Sequence, residues 1–439
     1  MPSAETAYLF RHALLRDAAY DLHLPQDRAR LHGLALALLE GVLQSSRPQG
    51  DSDQADAWTA DPQPIDAFAL ELAHHARLAQ PIAGEKATAA REWYTARAAD
   101  YAERHYRHGH ALELWHELAE TSQGSAKGRA KRRAAEMEHM AGSSENAQRL
   151  LDEALGLLQQ TGELQQQALT LDTLGRVHRG NGRTREAEHA FEQALAIHRR
   201  TGNRRGEGST LANLAALFHQ SGRVDRAEQC YEQSLQLVRG EDSQLESVVQ
   251  GNLAAIYNET GRSDAAEQLY EQALAALRAA GNRLLEGMLL GNLAVVYAHT
   301  GRADRAVAAY ERALAIHQEV GNRRSESVVR ANLAVRHREA GRLEQSEAAY
   351  QRALAMLRET ANRPHEAAHT CGYAVCLLRL GRPEQARHEW ARGAAMLREM
   401  GDSAALAQCT EEMHRECAKI GAPPFDTTDC PGSGAPATS

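Results

Sequence analysis

The chain has 439 residues, more than one ordinary globular core holds, so several domains or a linear array is expected. Ala, Leu, Glu, Arg and Gln dominate, Pro is scarce at 12 and aromatic residues make up 5%, which predicts a nearly all-helical chain. A net charge of −8 with both signs interspersed gives no basis for general nucleic-acid binding.

No apolar run approaches the ~18 residues needed to cross a bilayer. The opening MPSAETAYLF also lacks a basic segment followed by an apolar one, so a cytoplasmic protein without membrane contact is expected. The cysteines, Cys230, Cys371, Cys376, Cys409, Cys417 and Cys430, show no CxxC spacing and read as reduced thiols.

In chain order, residues 1–45 predict a small helical module. Leu9, Ala13 and Leu14 form one stripe, and Pro25 starts a second helix with Leu31, Leu34, Leu38 and Val42 on its buried side. Residues 46–66 are rich in Asp, Gln and Pro and predict a flexible linker. Residues 67–160 predict irregular hairpins, with Phe68, Leu70 and Leu72, then Trp93, Tyr94, Tyr101 and Tyr106, then Leu112, Trp115 and Leu118. The one basic run, Lys127 to Arg133, reads as a solvated helix face, because a short run without interleaved aromatics supplies few phosphate contacts.

From 161 to 400 the chain repeats itself. Gly182, Gly222, Gly261, Gly301, Gly341 and Gly381 are spaced by 40, 39, 40, 40 and 40 residues, each followed by Arg, and predict the left-handed end of a first helix. A second set, Gly202-Asn203, Gly281-Asn282, Gly321-Asn322 and the variant Ala361-Asn362, closes each second helix, with the Asn suited to cap the next. Periodicity places Leu253, Ala254 and Tyr257 against Ala266, Tyr270 and Ala273, and Leu293, Ala294 and Tyr297 against Ala306, Tyr310 and Ala313. A degenerate copy lies near Ala130 to Leu158. Residues 401–421 predict a covering helix capped by Ser403, with Leu406, Cys409, Met413, Cys417 and Ile420 inward, and 422–439 predict a disordered tail.

This pattern resembles the tetratricopeptide repeat, in the long-repeat subclass that includes the LGN/Pins adaptors, kinesin light chains and some bacterial peptide-sensing regulators. The resemblance implies an all-α right-handed superhelix of helical hairpins whose concave groove binds a segment of another protein. The FRHALLRDAAY run (residues 10–20), followed by RARLH, resembles the helical region behind the nucleotide-binding core of bacterial STAND signalling ATPases. It implies a sensor or scaffold portion, with an ATPase or kinase as a partner. A Walker A loop needs Gly, four residues, then Gly-Lys-Ser/Thr; GSAKGRAKRR at Gly124 has neither that spacing nor a preceding apolar strand, so no ATPase activity is expected of these residues.

In such arrays the inner wall takes first-helix residues two before, two after and five after the core leucine. Here these are Ala212, Ala216 and His219; Gly251, Ala255 and Asn258; Gly291, Val295 and Ala298; and Ala331, Val335 and Arg338. The middle is small and apolar and suits an amphipathic or apolar segment. Asp172, Arg176 and Arg179 lend charge at the N-terminal end.

The column Asn213, Asn252, Asn292 and Asn332 either contacts a bound main chain or bonds within the array. Glu207, Glu246, Glu286, Glu326 and Glu366 read as helix-dipole partners, with Arg204, Arg283, Arg323 and Arg363 three residues earlier. Of the 21 histidines, His74-His75 and His105, His108 and His110 stand closest together, without a matching ligand set. No GxSxG, HExxH or cofactor motif occurs, so neither catalysis nor a cofactor nor a metal is expected.

Overall fold

A computed structural model describes residues 20, 23–43, 62–105 and 107–425. The stripe expected at Leu9, Ala13 and Leu14, nearly all of the FRHALLRDAAY run, Tyr106, most of the expected linker and the tail from 426 lie outside these residues. The described residues hold 18 α-helices and no strand. They fall into two units, Met1–Gly222 and Arg223–Ser439.

The first unit holds α1 (Pro25–Val42), α2 (Ala69–Arg104), α3 (His108–Thr121), α4 (Gly124–Met140), α5 (Ser144–Thr161), α6 (Leu164–Gly180), α7 (Thr184–Thr201) and α8 (Arg204–Gln220). The second holds α9 (Val224–Val238), α10 (Ser243–Glu259), α11 (Ser263–Ala279), α12 (Arg283–His299), α13 (Ala303–Glu319), α14 (Arg323–Glu339), α15 (Leu343–Glu359), α16 (Arg363–Arg379), α17 (Pro383–Glu399) and the terminal α18 (Ser403–Ile420). Hairpins form by consecutive packing of α4 on α5 and α6 on α7 in the first unit. In the second unit α10 packs on α11, α12 on α13, α14 on α15 and α16 on α17.

The punctuation follows the sequence. Gly301, at φ 73, ends α12 in the left-handed region, where a side chain would strain the turn. Asn203, Asn282 and Asn322 each accept a hydrogen bond from the backbone N–H three residues on, and Asp242 does so in the 39-residue copy. Each such cap contributes about 1 kcal/mol. Asn362 makes no cap bond; its Oδ1 instead lies 3.0 Å from His365 Nδ1, and Ala361 before it is held at φ 50.

Three of the arginines that follow a turn glycine share a task. Arg262 reaches Glu228 at 2.6 Å, Arg302 reaches Glu267 at 2.6 Å and Arg382 reaches Glu347 at 2.8 Å, each crossing to the preceding repeat. Arg262 and Arg302 also lie over the rings of Tyr257 and Tyr297.

The core pairs are placed as expected, Tyr270, Ala273, Tyr310 and Ala313 all being buried; Tyr257 is half-buried, with its hydroxyl bonded to Glu232. Burial raises the Tyr310 hydroxyl to about 12.

Four expectations are corrected. On α1 the buried residues are Ala29 and Leu36, whereas Leu31, Leu34, Leu38 and Val42 face outward. Gly33 lies toward α2, where a methyl in its place would meet Ala79 at an ordinary 3.8 Å. The end of the expected linker is ordered: Pro64–Phe68 forms a 3-10 turn whose Asp66, only 2% exposed, is clamped by Arg97 and Arg104 at 2.5 Å each. The basic run is not a solvated face. Arg132 is buried, Arg133 pairs with Glu103 and Glu136, and Lys131 pairs with Glu153. Finally, Asp402 rather than Ser403 caps α18, accepting from Ala405 N; Met413 and Cys417 are buried there, while Ile420 is exposed.

The glutamate column is bonded mainly from the preceding second helix, by Arg199 to Glu207, Arg278 to Glu286, Gln318 to Glu326 and Arg358 to Glu366. Arg283 adds the local pair to Glu286 at 2.5 Å; Arg283, Arg323 and Arg363 also reach Glu319, Glu359 and Glu399 at the far end of their own hairpins.

Candidate peptide-binding face

In the second unit the first helices α10, α12, α14 and α16 present successive columns, fixed by the 3.6-residue period relative to Leu253, Leu293 and Leu333. The residues two before the leucine are buried. A methyl at Gly251 would fall 2.5 Å from Leu289 Cδ2, a methyl at Gly291 would meet Val329 Cγ2 at 3.5 Å, and Ala331 is fully buried. These positions set the distance between neighbouring first helices; they are not open wall.

The solvent-facing columns lie beside them. Ala255, Val295 and Val335, two after the leucine, are half-buried. Five before it stand Val248, Met288 and Val328, a column that sequence reasoning missed; its signal is the seven-residue step, two helical turns, to the column already chosen. Met288 is 44% exposed, a large apolar side chain on a face otherwise covered by small ones.

The polar members divide. Asn252 and Asn292 are exposed and Asn332 is half-buried. Burial, then Glu259, raises the Tyr270 hydroxyl on the preceding second helix, and the amide of Asn292 partly offsets them. Asn258 lies 3.0 Å from His299 Nδ1 in the next repeat and accepts from Ser263. Arg338 is 4% exposed and is held at 2.5 Å by Glu412 of α18, with its carbonyl taken by Arg379. It is therefore occupied by the chain's own terminal helix.

In the first unit the face is charged. Arg176 bonds Glu136 at 2.9 Å and Thr173 at 3.1 Å, and keeps a side chain 42% exposed. Glu136 overcomes its burial through Arg132, Arg133 and Arg176, which hold its carboxyl down to about 2. Arg179 is half-buried; burial first, then Arg176 and Arg179, lowers the nearby His139. Asp172 does not add charge to the face. It is 8% exposed, accepts from Thr210 at 2.8 Å and lies 3.2 Å from His198 Nε2. Asn213 and His219 on α8 are half-buried.

A cleft of about 470 Å³ lies on another side of the second unit, between α11 and α13 over α12, lined by Leu274, Leu290, Leu293, Arg305, Ala308 and Arg312. It arises where Ala308 and Ala309 leave space between successive second helices. Among the described residues no group of three or more histidine, cysteine or acidic side chains is placed to hold a metal, and no helix is long and apolar enough to cross a membrane.

Stacked two-helix hairpins with glycine-ended first helices and small residues at the helix contacts define a helical-repeat protein. The tetratricopeptide repeat model matches residues 128–200, 207–279 and 285–359, and a second model of that repeat matches 332–405. The chain belongs to the tetratricopeptide repeat family.

Among solved structures it is similar to a STAND protein with a tetratricopeptide repeat sensor from Pyrococcus horikoshii, at a TM-score of 0.58 and 16% identity over 82% of this chain. The chain spans 55% of that protein's length. It is also similar to the quorum sensor NprR of B. thuringiensis (TM-score 0.58, 13% identity, 76% of this chain and 97% of that one). A Rap protein complexed with competence and sporulation factor gives TM-score 0.57 and 13% identity, over 85% of this chain and 99% of that one. At these identities the likeness is one of fold. No curated protein matches the chain.

Proposed function

We propose that the chain is a non-catalytic scaffold or sensor of the cytoplasm, of the long-repeat subclass, and that the first-helix face of its second unit takes an apolar segment of a partner protein. The observation that carries this reading is the exposed Met288 between Val248 and Val328, beside Ala255, Val295 and Val335. A peptide covering the exposed 44% of Met288 gains ~0.7–1.3 kcal/mol from its burial, about three- to ninefold in affinity. The exposed amide of Asn252 supplies a polar contact to the main chain of such a segment. The fold likeness to NprR and to a Rap protein solved with a signalling factor supports a peptide as the ligand.

The test is selection of peptides from a displayed random library on the wild-type chain, followed by titration against Met288→Glu with Val295→Glu, after circular dichroism shows equal helicity. Loss of at least about tenfold in affinity is expected. Equal affinity overturns the reading. Gly251 and Gly291 are unsuited to this test, since side chains there act on helix packing.

A second reading makes the chain the sensory portion of a STAND-type ATPase signalling protein or a transcription regulator, with an ATPase or kinase as its effector. Its support is the fold shared with the STAND sensor over 82% of this chain. Sequencing of the transcript for an in-frame Walker A segment tests it.

A further inference from the structure

Three histidines and a tyrosine meet where α1 packs on α2. Nδ1 of His32, on α1, lies 2.8 Å from Nδ1 of His75, on α2, and Nε2 of His32 lies 2.9 Å from the hydroxyl of Tyr20. The rings of His32 and His75 stand 5.0 Å apart, and the exposed ring of His74 is 6.0 Å from that of His32. His32 and His75 are half-buried, on a helix contact that also buries Ala29 and Leu36 of α1.

A contact of 2.8 Å between two ring nitrogens is a hydrogen bond with one proton in it, so one imidazole donates and the other accepts. A single extra proton is tolerated, because a charged His75 still donates to a neutral His32, whose Nε2 then donates to the Tyr20 oxygen. Two extra protons are not. With both rings charged, two N–H groups point at each other across the contact and the bond is lost.

We propose that the His32–His75 pair is a proton-operated latch, holding α1 on α2 while one ring stays neutral and releasing it when acid charges both. The surroundings do not cancel the conflict. From α2 the pair is faced by Glu71, one turn before His75, by His74, and by Arg77, whose Nη2 lies 3.3 Å from His74 Nδ1. On the α1 side stand Tyr20 and Arg28, the guanidinium over the Tyr20 ring at 4.8 Å and its Nε donating to the His23 carbonyl, with Asp27 and Arg30 in the same first turns. Burial, then His75 and His74, lowers His32; burial lowers His75, with Glu71 opposing and His74 adding to it.

Released, both rings return to an ordinary 6.5 and take up more protons than the docked pair. Docking is therefore complete above pH 6.5 and lost as the pH falls below it. One proton refused at pH 5 raises the released fraction about twentyfold over its value at pH 8. The latch lies in the first unit and is independent of the binding face proposed above.

The test is amide hydrogen exchange of the full chain between pH 8 and pH 5, corrected for intrinsic rates, with EDTA present so that no divalent cation bridges the rings. Exchange over residues 25–42 is expected to quicken about twentyfold at pH 5 and to recover on return to pH 8. The α10–α11 hairpin, which contains no histidine, serves as the reference and is expected to stay within about threefold. In His75→Asn the amide oxygen accepts from His32 whether or not that ring is charged, so the response of α1 should shrink to about threefold or less. Three results overturn the proposal: unchanged exchange of α1 in the wild type, a rise shared equally by α10–α11, or an undiminished response in His75→Asn. If that variant docks poorly even at pH 8, the wild-type comparison with α10–α11 decides.

Discussion

Gly251 and Gly291 occupy the same place in neighbouring copies of the motif, yet their replacement by alanine is predicted to have opposite effects. Both sit inside helices, where Gly→Ala stabilises by about 1 kcal/mol through backbone entropy. At Gly291 the new methyl meets Val329 Cγ2 at 3.5 Å, an ordinary contact, so Gly291→Ala is expected to gain ~0.5–1 kcal/mol. At Gly251 the methyl falls 2.5 Å from Leu289 Cδ2, and Leu289 is itself only 8% exposed with little room to turn. Overpacking of this kind costs about 1–3 kcal/mol, so Gly251→Ala is expected to be neutral or destabilising by up to ~2 kcal/mol. The assay is urea unfolding followed by far-ultraviolet circular dichroism, with midpoints compared, because arrays depart from two-state behaviour. Adding Leu289→Ala to Gly251→Ala should cost less than Leu289→Ala alone. Equal stabilisation by both alanines would refute the close approach of α10 to α12.

Ala361→Gly is expected to stabilise by ~0.5–1 kcal/mol, because it relieves a left-handed alanine at the position where the other repeats carry glycine; a lower unfolding midpoint would contradict this. Glu136, held at about 2 against an ordinary 4.5, contributes stability that is complete above pH 4.5 and lost as the pH falls toward 2. Glu136→Gln should remove ~3 kcal/mol at neutral pH by leaving Arg132, Arg133 and Arg176 without their shared carboxylate, and flatten that acid limb. Burial, then His365 and Arg338, lowers His369 to about 4, so the unfolded chain takes up its proton first. That contribution, up to about 3 kcal/mol, is present above pH 6.5 and lost as the pH falls toward 4, as nuclear magnetic resonance titration of the imidazole would show.

What could be read from the sequence was what depends on local geometry. Glycine at the first-helix ends, asparagine at the next starts and the alternation of tyrosine with alanine each carry a steric or hydrogen-bonding reason within one turn of helix, and they locate the hairpins residue by residue. The candidate face was legible as a set of columns but not as a surface. Nothing local to Gly251 shows that Leu289 fills the space beside it, and nothing near Arg338 shows that Glu412, 74 residues later, takes its guanidinium. The same limit hid the Asp66 clamp, whose arginines come from the far end of a helix kinked at Gly84, and the true face of α1, where the leucine stripe that periodicity put inward faces outward and Ala29 and Leu36 are buried. Met288 stayed unnoticed because a lone methionine is usually core; its exposure follows only from the neighbouring first helices on either side.

The central claim is that recognition takes place on the first-helix face of the second unit, and site-specific photocrosslinking tests it most directly. A photoreactive amino acid is placed at position 288 in one chain and at position 312, on the cleft between second helices, in another, and each is irradiated with a peptide selected on the wild type. Crosslinking at 288 and none at 312 is the predicted result. Crosslinking at 312 with none at 288 would move the binding site to the second-helix cleft and contradict the account.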